Sequence, residues 1–188
     1  MVDPQTTPLA DWSSFYVIVG SSGAALIGLQ FVVLTLIAEI QIYSTHAQIR
    51  AFATPTIMHF GAALLVSTIM SAPWKSLTGM TIALRVIGVL GVLYAGLTLW
   101  RARSQHDYEP VWQDWLFHNA IPFVIYTALL TSSFLLRTHE IDMLFVIAGV
   151  ALSLLLLSIR NAWDTVIYIV LDYRRKAPAN GQPAPSDA

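Results

Sequence analysis

Arg160, Asn161 and Asp164 stand inside a segment, residues 154–171, that is otherwise mostly leucine, isoleucine and valine. Arg160 and Asp164 are four residues apart, so on a helix they lie about 40° apart and can neutralise each other. Ser153 falls on the same line, and Ser158, Asn161, Thr165 and Asp172 occupy the adjoining arc. Three roles fit this face: an ion pair that fixes helix packing, a polar cavity or ion path, or the headgroup zone of a long tilted helix. An ionisable group in a bilayer is tolerated when it is paired or wetted.

Other groups could share that chemistry. Glu39 could attract cations or relay protons, or it could pair with Arg50 or Arg160. His59, four residues after Pro55, could be a proton relay, a metal or haem ligand, or a hydrogen-bonded core histidine. His118 and Asn119 come next, and their inferred depth differs from that of His59 by roughly 7 Å at ~1.5 Å per residue, which disfavours a haem held between the two histidines. Asn119, Tyr126 and Ser133 form a polar stripe at seven-residue spacing. Pro122 interrupts the helix ladder beside His118 and Asn119. Arg85 stands alone, with Glu140, Asp142 or Asp11 as candidate partners, or it reaches to the surface.

These groups need helices to hold them. Of 188 residues, 56% are hydrophobic and 11% charged, where about 25% charged is usual for a soluble domain. So few charges cannot cover a water-soluble surface. Five stretches are long enough for the ~20 residues a crossing requires: 12–42, 51–72, 77–100, 115–136 and 141–171. The predicted fold is an all-α polytopic transmembrane bundle with no soluble domain. Residues 1–11 form a short extracytoplasmic N-terminus, 12–173 the bundle, and 174–188 a disordered Pro/Ala/Gly-rich cytoplasmic tail.

Basic residues set the orientation. With the N-terminus outside and the C-terminus inside, Arg50, Arg101, Arg103, Arg174, Arg175 and Lys176 face the cytoplasm, and only Lys75 and Arg137 face out. Trp12 and Trp74 then mark outer helix ends, while Trp100, Trp112 and Trp115 mark inner ends. The acidic first residues carry no basic region, which argues against a cleaved signal peptide. In this topology Glu39, His59, His118, Asn119, Arg160, Asn161 and Asp164 fall in the inner half, and convergence would let them partner one another.

Small residues point to close packing. Gly20, Ala24 and Gly28 form a row on the first helix, with Thr35 and Glu39 roughly continuing it and Gln30 opposite. The third span carries Gly79, Ala83, Gly88, Gly91, Ala95 and Gly96.

Some chemistry is absent. The chain has no cysteine, and no nucleotide-binding, zinc-hydrolase or nucleophile-elbow motif occurs. A net charge of −1 gives no electrostatic footprint for nucleic acid. The expected function is non-enzymatic and needs no cofactor. It is a homo-oligomeric channel or passive pathway for a small inorganic ion or proton, in the cell membrane, with the lipid bilayer and further copies of the chain as partners. Phe31 and Leu34 are the candidate gate, closing by dewetting. Two other readings stay open: a non-conducting accessory or structural membrane protein, and a membrane redox or proton-transfer protein using His59 and His118.

Overall fold

The computed structural model describes residues 8–39, 46–104 and 116–176, with side chains over 9–36, 55–100, 116–117 and 120–167. A short helix, α1 (Pro8–Asp11), precedes α2 (Ser13–Glu39), α3 (His46–Ser71) and α4 (Leu77–Ser104). A π turn over Leu116–Ala120 leads into α5 (Ile121–Leu135), and α6 (Glu140–Lys176) follows. Among the described residues there is no strand. The last three residues of the bundle's basic end, Arg174 to Lys176, continue α6, while 177–188 lie outside the described residues.

Three helices, over Ser13–Leu36, Leu77–Trp100 and Glu140–Ile167, are long and apolar enough to cross a bilayer. α5 is shorter, as is the apolar part of α3 over Pro55–Ser71. The apolar windows of α2 and α4 are only 22% and 17% buried within the protein, against 50% for α6. Apolar faces left this open in water would drive association, whereas lipid solvates them without cost. Length, composition and outward apolar exposure together mark a membrane protein.

α6 is the central helix. It packs against α3, α5 and α2, while α2 lies on α3 and α4 on α5. Its inward face follows the helical period: Leu144, Ile147, Ala151 and Leu154 are all at most 1% exposed. Ala63 and Val66 of α3, Met80 and Leu84 of α4 and Leu129 of α5 are equally closed. The turns Ala72–Ser76 and Leu136–His139 lie at one end of the bundle, hereafter the turn end. Trp12 stacks edge-on against Phe145 there, with ring centroids 4.7 Å apart.

Two glycines of α4 set the helix spacing. A Cβ at Gly88 would come within 2.9 Å of the Leu130 backbone, and one at Gly91 would overlap the Tyr126 ring. The row expected on α2 divides. Gly20 faces inward, where a Cβ would lie 3.0 Å from that of Ser67, but Ala24 and Gly28 face outward and Gly28 has open space beside it. The cause is helical geometry. Four-residue steps drift by about 40° each, so a row of three crosses from the face that α3 covers to a face that no described residue covers. Gln30 belongs to the inward face and is 5% exposed.

Candidate functional site

Two groups of interior polar residues stand out among those described. The first lies at mid-bundle, where α3, α4 and α5 meet. His59 Nδ1 and the Tyr126 hydroxyl are hydrogen-bonded at 2.9 Å, and both residues are buried. The Tyr94 ring stands edge-on to His59, with centroids 6.2 Å apart. Thr56, one turn before His59, is fully buried. Gly91 makes this cluster possible, because any side chain there would occupy the place of the Tyr126 ring. Chemically the pair is reversible. With Nδ1 unprotonated the tyrosine O–H donates to it, and with Nδ1 protonated the ring N–H donates to the phenol oxygen.

The second cluster lies nearer the far end of the bundle, beyond the start of α5, where the π turn carries Phe117 nine residues before Tyr126. Here Pro122 governs the backbone. It has no N–H to return to the carbonyl of His118, and the chain adopts the π turn Leu116–Ala120 immediately before α5. That turn places Phe117 under Arg160, whose guanidinium carbon sits 3.1 Å from the ring centroid. Arg160 Nε also approaches Asp164 Oδ2 at 3.7 Å, a loose contact with both side chains partly exposed.

Asn161 is different. It is 2% exposed, and neither its amide nitrogen nor its amide oxygen has a hydrogen-bond partner among the described residues. Arg160 Nη1 is likewise buried and unpartnered. Ser158 and Thr165 flank Asn161 on the buried face, but their hydroxyls donate to the carbonyls of Leu154 and Asn161 in their own helix. They leave the side-chain amide unserved.

The sequence-derived candidates therefore separate. Arg160, Asn161 and Asp164 do lie together, and His59 joins Tyr126, but the two groups sit at different levels of the bundle. Ser133 shares the buried face of Tyr126, as its spacing implied, and bonds back to the Leu130 carbonyl. Ser153 points outward. The side chains of Glu39, His118 and Asn119 lie outside those described. Phe31 is 57% exposed on the outward face of α2, and Leu34 is part-buried. Arg85 pairs with none of its expected acids. It donates to the Ser133 carbonyl at 3.3 Å and stacks on Phe134, because α4 packs on α5 and the first turn of α6 lies elsewhere. Sequence reasoning missed the part played by Tyr94 and Phe117. Only the helix neighbours bring those rings to His59 and Arg160, and no local spacing announces it.

Among the described residues no group of three or more histidine, aspartate and glutamate side chains could hold a metal ion. No family model matches this chain, and no curated protein or solved structure matches it either.

Proposed function

We propose that this is a five-span membrane protein of the cell membrane, N-terminus out and C-terminus in. It assembles from several copies and provides a passive pathway for a small ion. One observation carries the reading: three polar atoms, Asn161 Nδ2 and Oδ1 and Arg160 Nη1, are buried without partners. Buried polar groups are almost always hydrogen-bonded, so these atoms call for water or a hydrated guest. A wet site of this kind, with Asp164 at its edge, suits the mouth of an ion path. The His59–Tyr126 pair lies further in, and its reversible hydrogen bond fits the proton best among small ions.

Toward the turn end the interior of a single chain is closed by Leu84, Leu129, Leu136, Leu144 and Ile147, with Tyr16 Oη, Ser67 Oγ and Arg85 Nε as isolated buried polar atoms. The pathway in this half belongs at the boundary between copies. Ser21, Gly28 and Thr35 face outward on α2 at seven-residue spacing, with Phe31 and Leu34 between them as the constriction. Ser21 and Thr35 bond back to the carbonyls of Val17 and Phe31, so this row presents no unpaired hydroxyl to lipid.

The same closed half favours a second reading, a non-conducting accessory protein. Flux from liposomes reconstituted with the purified protein separates the two. Under an imposed proton or cation gradient the native chain should discharge the gradient. Asn161→Leu, which fills the wet site with apolar atoms, should reduce discharge to the level of empty liposomes. Silence of the native protein under proton, potassium, sodium and chloride gradients would overturn the pathway and favour the accessory role.

A further inference from the structure

Arg85 is a charge without a counter-charge. It lies inside the apolar stretch Leu77–Trp100, and its guanidinium touches only the Ser133 carbonyl and the face of Phe134, 3.9 Å from the ring centroid. Its Nε is buried and unpartnered. In the turn that follows α5, Arg137 donates to the Thr78 hydroxyl of α4. Thr78 in turn precedes Thr81, whose hydroxyl bonds to the Thr78 carbonyl. Among the described residues the one ion pair is Arg160–Asp164, so neither Arg85 nor Arg137 has a carboxylate. Glu140 and Asp142 open α6 nearby in sequence, yet they pair with neither arginine.

A cation in a membrane helix needs compensation. Neither the carbonyl dipole nor the aromatic face carries a full negative charge, and no described carboxylate pairs with Arg85, so the site is open to an external anion. Depth identifies its source. Arg85 lies eight residues into α4, about 12 Å from the helix start at ~1.5 Å per residue. Helix side chains lean toward the N-terminus, here toward the turn end, so the guanidinium sits well above its own Cα. Trp74 lies at that end, donating to the Ile69 carbonyl and packing over Gly79, a position suited to the headgroup region. Beside Arg85, Ile82, Val86 and Val89 of α4 and Phe134 of α5 are exposed, a surface for acyl chains.

We propose that the turn-end face of α4 and α5 binds the phosphate of an anionic phospholipid, with half-buried Arg85 as the anchor and Arg137 at the rim. A phosphodiester oxygen accepts from guanidinium N–H groups in the geometry arginine favours. This rests on α4 and α5 crossing a bilayer and is independent of conduction.

The test is thermal unfolding of the full chain in a neutral detergent, titrated with phosphatidylglycerol and, separately, with inorganic phosphate. The native protein should gain a higher midpoint with phosphatidylglycerol and none with inorganic phosphate at equal concentration. Arg85→Met should abolish the gain and Arg137→Gln should reduce it. Without lipid, Arg85→Met should melt no lower than the native chain, because it removes an uncompensated charge and keeps the apolar stem. An undiminished lipid response in Arg85→Met overturns the proposal, as does an equal response to inorganic phosphate, which would make the site one for soluble anions. A marked drop for Arg85→Met without lipid also overturns it, by showing that the charge is satisfied within the chain. A protein silent in the flux assay would still show this lipid response, so the two readings fail separately.

Discussion

Gly91→Val should strongly destabilise the bundle in detergent. The new side chain would begin where the Tyr126 ring now lies, and neither can yield cheaply. The glycine is on a helix backbone, and the ring is 3% exposed with its hydroxyl committed to His59. Overpacking of this kind costs about 1–3 kcal/mol or more, and loss of a buried hydrogen bond adds about 1–3 kcal/mol. Against a total stability of about 5–15 kcal/mol the sum removes a large share. Size-exclusion profiles and thermal midpoints should both show it. Gly96→Val is the control, since nothing lies within 4 Å of a Cβ there. Combining Gly91→Val with Tyr126→Ala should recover part of the packing without the hydrogen bond. A Gly91→Val protein that melts with the native one would mean that α4 and α5 do not approach as described.

The second large effect belongs to the His59–Tyr126 pair. His59→Leu leaves the Tyr126 hydroxyl without its partner in a buried place, and Tyr126→Phe removes the same bond from the other side. Each single change should destabilise by about 1–3 kcal/mol, while the double change should fall short of the sum because no orphaned group of this pair remains. A cycle that is simply additive would show that the two residues do not interact. Flux adds a separate measure. If protons cross through this pair, both single variants lose proton discharge per folded molecule. If the pair only fixes helix register, discharge per folded molecule stays at the native level although the midpoint drops.

The bilayer reading and the positions of the helices were legible in the chain. The expected stretches 12–42, 51–72, 77–100, 115–136 and 141–171 coincide closely with α2, α3, α4, the π turn with α5, and α6. Long apolar runs and charge depletion are local properties, and a helix satisfies its own backbone hydrogen bonds in any apolar surroundings. The adjacency of Arg160, Asn161 and Asp164 was equally local, since i to i+4 geometry fixes it. The proline-linked break near His118 and Asn119 was readable for the same reason. It became a π turn because Pro122 removes one donor at a known position.

Partnership across helices was not legible. Polarity alone suggested one convergent site; among the described residues, helix packing sets His59 against Tyr126 and Phe117 against Arg160, at different levels of the bundle. The same packing turned Gly91 into the space for an aromatic ring, rotated Gly28 away from the chain, and directed Arg85 to a carbonyl where an acid was expected. The sequence by itself determined which segments are helical and apolar, because those properties depend on residues within a few positions of one another. Only the tertiary structure decided who meets whom, because the rotation and depth of each helix depend on how side chains from different helices fit together.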